Sequence, residues 1–431
     1  MNKKTTLTFA VAAALGLVAP ASNATLGYFS HGYGAIQSSM GGAGVALAQD
    51  AMIGAINPAG MVLTGDNGVV GVTAFSPIRE YTVTGTNGSF PPFVGGPVQS
   101  DNEIFLIPNF AYNKMLDKNS SIGVTVFGNG GMNSEYADAD TAFGAGTFGG
   151  GGAGDPNAGI DYKQLFINTT YARKLNDKVA VGITGIINHS RFKADGLAAF
   201  GGFSVAPTKL SNTGVDSTWG FGGKIGILAE VNSQFSLGAS YQTKISNKFD
   251  SKYAGLYPKA GEFDIPATAT VGMAFKPDNK SAVTFDIQQI WYSDVDAVGN
   301  TSSVLTTGCM AGVAANCLGG SAGAGFGWSD MTAFKIGYQR QVSGGWTWRA
   351  GFATGSQPID PSEVTLNILA PGVVENHFTF GFGKDLNNGK QINVAVMYAP
   401  SNSVSGPSML NPAETIELKM KQYSLSVDFK F

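Results

Sequence analysis

The sequence predicts an all-β protein: a 14-stranded antiparallel transmembrane β-barrel with an N-terminal hatch (plug) inside the lumen. Three observations predict it. Gly supplies 60 of 431 residues and charged residues only 13 %, about half the usual share, while the hydrophobic share of 43 % is ordinary. Apolar residues alternate with small or polar ones at period two along much of the chain. Short polar turns alternate with long loops rich in Gly, Ser or Pro.

The composition excludes several classes. A disordered chain would be more charged and less apolar. Collagen needs Gly at a strict third position, and no such period exists. With 27 basic against 30 acidic residues, the net charge is -3, so no nucleic-acid partner is expected. Beyond the N-terminus no apolar run approaches the ~20 residues of a membrane helix.

Residues 1–24 read as a secretory signal peptide. Lys3 and Lys4 start it, 7–19 is apolar, and Ser22-Asn23-Ala24 supplies the small residues of a cleavage site. The mature chain is expected to begin at Thr25. Residues 25–66 read as the hatch domain. They include Gly41-Gly42-Ala43-Gly44 and a single charge, Asp50, before Asp66. Such a segment would be poorly solvated as a free tail. Asp50 and Asn57 are N-cap candidates, and Pro58 suits a first helical position.

Residues 67–431 read as the barrel, with a first strand near 69–83. At the C-terminus Tyr423, Leu425, Val427, Phe429 and Phe431 alternate with Ser424, Ser426, Asp428 and Lys430. Strand side chains point to opposite faces in turn. The same pattern places Phe263, Ile265, Ala267, Ala269, Val271, Met273 and Phe275 on one face. Val283, Phe285 and Ile287 alternate with Thr284, Asp286 and Gln288, and Phe378 and Phe380 with Thr379 and Gly381. Six short turns, among them Asp117-Lys118-Asn119 and Asn232-Ser233-Gln234, alternate with seven long loops. Together they join fourteen strands and leave both ends on the periplasmic side. Lipid cannot hydrogen-bond a sheet edge, so a sheet in a membrane closes on itself. Fourteen strands leave a lumen to be filled or left open. The terminal Phe431 is the expected handle for the barrel-assembly machinery.

The chemistry-bearing residues are few. Cys309 and Cys317 can close a small loop disulfide in an oxidising compartment. No His lies near them, so a metal site is disfavoured. The uncharged stretch 298–329 is broken by Gly, Asn, Thr and Ser and reads as a long loop. The chain has three histidines, His31, His189 and His377. His189 precedes Ser190, but adjacent strand residues face opposite ways, and no G-x-S-x-G elbow occurs. Residues 144–149 match a dinucleotide fingerprint by letter only, since no strand–turn–helix context surrounds them. No catalytic residue, cofactor or metal is therefore expected.

The segments Gly27-Tyr28-Phe29-Ser30-His31-Gly32-Tyr33-Gly34, Met40-Gly41-Gly42-Ala43-Gly44-Val45-Ala46, Asp50-Ala51 and Asn57-Pro58-Ala59-Gly60-Met61 resemble the hatch of FadL-type outer-membrane transporters of long-chain fatty acids and aromatic hydrocarbons. Ile107-Pro108-Asn109 and the Asn376-His377-Phe378 strand extend the resemblance along the mature chain. It implies an outer-membrane channel of a Gram-negative bacterium, moving hydrophobic small molecules passively among outer-membrane lipid and lipopolysaccharide. Ligand would be captured at extracellular loops, with Leu197, Phe200 and Phe203 as the groove. It would pass a pocket near the mature N-terminus, with Leu26, Tyr28 and Phe29, and leave sideways at a kink in the third strand.

Asn129, Gly130 and Gly131 are the candidate for that lateral gap, because glycine inside a strand marks bulges and bends. Asn57, Pro58 and Ala59 would hold the hatch. Arg191, Lys193, Lys209 and Arg349 are candidate partners for a fatty-acid headgroup, and spacing does not choose among them. The Gly-rich loop 129–159 departs from the family pattern. The alternative reading is a water-filled general porin, which would show charged rings in the lumen and no plug.

Overall fold

The computed structural model describes residues 26–85, 96–136, 147–149 and 157–431. The signal peptide, Thr25, residues 144–146 of the 144–149 segment and residues 150–152 of the 149–152 glycine run lie outside them. Among the described residues, fourteen long strands form one antiparallel barrel. They are β1 (Asn67–Thr84), β2 (Phe105–Met115), β3 (Ser120–Tyr136), β4 (Ala158–Lys174), β5 (Val179–Asp195), β6 (Asp216–Glu230) and β7 (Phe235–Gln242). Then follow β8 (Thr268–Asp278), β9 (Ser281–Ile290), β10 (Met331–Val342), β11 (Trp346–Gly355), β12 (Asn376–Asp385), β13 (Gln391–Pro407) and β14 (Thr415–Lys430). Each strand pairs with its neighbours in sequence, and β14 closes on β1 from Val69↔Lys430 to Thr84↔Thr415. A short extra strand, Gly96–Gln99, pairs only with the upper part of β1.

The period-two pattern sorts side chains between lipid and lumen. On β14, Leu425 and Val427 are exposed on the outside, while Ser426 and Asp428 are buried within. On β12, Phe378 and Phe380 face out, and His377 and Thr379 face in. The outer face carries aromatic residues near the periplasmic rim: Trp346 and Trp348 stack at 6.2 Å beside Phe380 and Phe382. Such girdles sit at the membrane–water boundary of barrels. The periplasmic turns close through their Asx side chains. Asn176 Oδ1 accepts from the backbone N–H of Lys178 and Val179, and Asn232 Oδ1 from those of Gln234 and Phe235, as Asx turns do.

One expectation about facing is overturned. Phe263 and Ile265 do not share the outer face with Val271 and Met273. Both are fully buried, whereas Val271 and Met273 are exposed. The ladder of β8 begins only at Thr268, two residues after Pro266. Proline cannot donate to a central ladder. Upstream of it, Ile265 bridges Ile245 and Glu262 bridges Lys248, within the extracellular loop layer.

Residues 26–66 run through the lumen. They form a short helix, Gly34–Ser38, and two 3-10 helices, Ala51–Ala55 and Pro58–Leu63. Asp50 caps the second element by accepting from Met52 N at 2.9 Å, and Asn57 caps the third by accepting from Ala59 N at 3.1 Å. Nearly every residue from Leu26 to Val62 is buried. Wall glycines allow this backbone to lie against the strands. A Cβ at Gly351 would stand 2.1 Å from Gly41 N, and one at Gly238 2.4 Å from Val45 O. Close backbone approach is one reason for glycine in a strand, and it accounts for part of the unusual glycine content.

Candidate functional site

The wall is interrupted between β2 and β3. Their ladder runs only from Met115↔Ser121 to Asn109↔Phe127. Above it, the alternation on β3 is lost, and residues 127–134 are buried without a break. The register of β3 against β4 shifts between Gly128 and Gly130, the mark of a bulge, which bends its strand. There β3 meets the leading segment instead of β2. Phe29 forms an antiparallel bridge with Gly130. Ser30 N donates to Asn129 O at 3.0 Å, and Gly131 N to Tyr28 O at 3.0 Å. The Asn129 side chain donates to Gln164 Oε1 and accepts from Tyr33 Oη, both at 2.8 Å. At the top of the interruption the Arg79 guanidinium donates to the carbonyls of Asn102 and Asn133.

Two cavities lie behind this interruption. One is bordered by His31, Tyr33, Phe75, Asn109, Phe127 and Ser424. The other is bordered by Arg79, Gly131, Met132, Trp328, Gly372 and Met420.

Above them sits an aromatic cluster. The Tyr28 ring lies 5.0 Å from Tyr292, 6.0 Å from Tyr162 and Trp328, and 6.4 Å from Phe263. Tyr292 Oη accepts from Tyr28 N at 3.1 Å and donates to Leu26 O at 2.5 Å, tying the start of the described chain to the loop after β9. Trp328 Nε1 donates to Asn367 Oδ1 at 2.6 Å. Beyond the cluster, the extracellular loops border a small apolar cavity. Leu197, Phe200, Leu256, Tyr257, Leu318 and Phe326 are among its walls. Phe326 on the wall of this cavity lies 6.5 Å from Trp328 on the wall of the one behind the interruption. Burial, reinforced by the neighbouring tyrosines, pushes the Tyr28 and Tyr257 hydroxyls well above the usual tyrosine range, so both remain protonated.

Inward polar side chains clamp the leading segment from below. Asp286 Oδ2 accepts from Gly44 N at 2.7 Å and Val45 N at 2.9 Å. Asp428 Oδ2 accepts from Ala35 N at 2.5 Å, and Lys335 Nζ donates to His31 O at 2.9 Å. Asn57 Nδ2 donates to Val45 O at 2.7 Å and to Ile227 O at 3.0 Å, joining two parts of the segment to β6. Pro58 and Ala59 pack beside Gly182 and Gly226 of the wall. Irregular backbone in a buried place needs such partners.

The structure therefore distributes the sequence-derived residues as follows. Leu197 and Phe200 line the loop cavity, while Phe203 packs at its edge, 6.4 Å from Phe200. Leu26, Tyr28 and Phe29 belong to the aromatic cluster, and Phe29 also borders a polar cavity with Lys224, Asp286 and Lys335. Cys309 and Cys317 are joined by a disulfide one residue before Leu318. The four candidate headgroup cations are scattered. Arg191 and Lys193 alternate with the buried Phe192 and so face outward, Lys209 donates to Asp250 O, and Arg349 donates to Asn393 Oδ1. None of the four borders the loop cavity. His189 lies tilted against Trp219 at 4.5 Å on the outside, whereas Ser190 is buried inside and bonded to Asn188.

Sequence reasoning missed Asp286, Lys335, Tyr257, Phe326 and Trp328. A signal existed for Asp286, a carboxylate between Phe285 and Ile287 at an inward position of an apolar strand. No local pattern marks the loop aromatics.

Comparison with known proteins agrees with this architecture. Residues 21–427 match the family model described as outer membrane protein transport protein (OMPP1/FadL/TodX). Among solved structures, a Pseudomonas aeruginosa FadL homologue aligns with TM-score 0.70 at 15 % identity, covering 94 % of this chain and 99 % of that one. The Pseudomonas putida toluene transporter TodX aligns with TM-score 0.63 at 16 % identity, covering 93 % and 98 %. The Ralstonia pickettii toluene transporter TbuX aligns with TM-score 0.61 at 16 % identity, over the same shares of 93 % and 98 %. No curated protein sequence matches the chain. Since the family model spans nearly the whole length, the chain belongs to the OMPP1/FadL/TodX family of outer membrane transport proteins and is a β-barrel of the Gram-negative outer membrane.

Proposed function

We propose that this protein admits hydrophobic small molecules, long-chain fatty acids or hydrocarbons, by passive diffusion through a hatched barrel. The loop cavity at Leu197 and Phe200 captures the ligand. The aromatic cluster around Leu26, Tyr28 and Phe29 receives it. It leaves sideways between β2 and β3 at Asn129, Gly130 and Gly131. Residues 25–66 act as the hatch, held by Asn57, Pro58 and Ala59, so the ligand does not need to cross the lumen floor. The observation that carries this reading is the departure of β3 from β2 above Phe127, with a mixed polar and aromatic cavity and a mainly apolar one on its inner side. A water-filled porin would need an open lumen, and residues 26–66 occupy it.

The surroundings fit the same reading. Outward His189, Arg191 and Lys193 stand above the apolar belt of β5, where lipopolysaccharide headgroups would lie. The Phe431 ring remains half exposed at the rim, available to the barrel-assembly machinery.

Gly131→Trp tests the exit. A large ring there fills the cavity behind the wall interruption. Uptake of a labelled aromatic hydrocarbon by cells producing the variant should fall sharply, while ligand binding to the purified barrel stays unchanged. Undiminished uptake would remove the lateral route from consideration.

A further inference from the structure

Lys163 on β4 and Arg191 on β5 are direct partners across the ladder. Each lies between two buried residues, Tyr162 and Gln164 for the lysine, Ser190 and Phe192 for the arginine. Both cations therefore point to the outside of the barrel. Along the described ladders no other pair sets a cation against a cation. Like charges directly opposite each other destabilise a sheet. At Lys419, an outward lysine of β14, the ladder partner is Glu80, with its carboxylate 3.5 Å away. Near Arg191 the two lysines are answered on their own strands, Lys163 by Asp161 and Lys193 by Asp195. Arg191 itself forms no ion pair among the described residues.

The surface below this pair is apolar. Two residues toward the periplasm, His189 has Leu165 and Trp219 as its ladder partners. Two residues further, Ile187 pairs with Phe221, and both are exposed on the outside, as is Trp219. The cations thus stand at the upper edge of the lipid-facing belt.

We propose that Lys163 and Arg191 hold a phosphate of the acylated glycolipid anchor of lipopolysaccharide, with Trp219, Ile187 and Phe221 beneath its acyl chains. The inference rests on the placement of the outer end of β5 among lipopolysaccharide headgroups, and narrows it to one site and one chemical group. A phosphate between the cations replaces their repulsion with charge-assisted hydrogen bonds, and the planar guanidinium suits a phosphate in two-pronged contact. The low dielectric at the hydrocarbon edge strengthens both effects. A lipid without phosphate covers the belt but leaves the two cations facing each other. The site adjoins the proposed exit, since the partner of Lys163 on its other side is Gly131 of β3.

The test uses the purified full-length protein in neutral detergent and native mass spectrometry. The probes are lipid A, the same lipid A with its phosphates removed, and phosphatidylglycerol. The wild type should retain lipid A most strongly. Arg191→Gln breaks no ion pair of the protein and should weaken lipid A about tenfold, the worth of a hydrogen bond to a charged group. It should leave the dephosphorylated form unchanged. Arg191→Lys should keep most of the affinity, and Lys419→Gln, five strands away, should change nothing. Equal binding of the two lipid A forms by the wild type would overturn this inference alone. So would full affinity in Arg191→Gln, an equal loss in Lys419→Gln, or phosphatidylglycerol bound as tightly as lipid A. If the wild type retained neither form of lipid A, the placement of β5 among lipopolysaccharide headgroups would fall as well.

Discussion

The backbone of Phe29 bridges that of Gly130 so closely that a Cβ at Gly130 would stand 1.9 Å from the carbonyl oxygen of Tyr28. Glycine is thus required where the leading segment lies against the bent third strand. The same contact joins two parts of the proposed path, the aromatic cluster and the wall interruption.

Gly130→Val should therefore release residues 26–30 from β3. Two backbone hydrogen bonds are lost, worth about 1–3 kcal/mol together. Amide exchange at Ser30 and Gly131 should accelerate, while the paired strands β9 to β14 keep their protection. Unaltered exchange at Ser30 would show that the close approach is not what holds the segment.

Asp286 tests the clamp in the same way. Asp286→Ala removes the acceptor for Gly44 N and Val45 N. A hydrogen bond to a charged group contributes about 1.5–3 kcal/mol, and both donors are left buried. Ionic leak through reconstituted channels should rise, because the middle of the leading segment loosens. Asn57→Ala should act in the same direction, through loss of a cap worth about 1 kcal/mol and of the contacts to Val45 and Ile227. A leak equal to the wild type in both variants would contradict the clamp.

The loops over the cavity carry a pH dependence with a definite sign. Lys259 Nζ lies 2.7 Å from Asp296 and 3.4 Å from Glu262. The hydrogen bond that Lys259 donates to the Asp296 carboxylate holds the ammonium above the ordinary lysine range. A raised pKa gives stability that is complete below the unfolded value, ~10.4 for lysine, and is lost as pH rises through the folded value. Ligand capture should then be steady through neutral pH and weaken only in strong alkali. Asp296→Asn should remove most of that alkaline weakening, because without the partner the folded and unfolded values come together. A weakening that persists unchanged in the variant would mean the pair does not close the loops.

Much of the barrel was legible because its signal is local and repeated. Asn176 and Asn232 mark turns by a side-chain bond two residues long, and Leu425 or Phe380 declares its face by parity alone. The site was less legible. Phe263 and Ile265 fit the parity of β8, yet Pro266 detaches them into the loop layer. Tyr257 and Trp328 sit in loops with no period to read.

The sequence by itself determined a closed sheet of fourteen strands, greasy outside, with a leading segment too apolar to remain in water. The reason is that alternation, turn chemistry and scarcity of charge act over a few residues at a time. Only the tertiary structure decided that β3 abandons β2, that Asp286 meets Gly44, and that Tyr292 binds Tyr28 across 264 positions of chain. Those contacts exist because the closing of the barrel brings distant segments within bonding distance, and no local pattern encodes which segments they are.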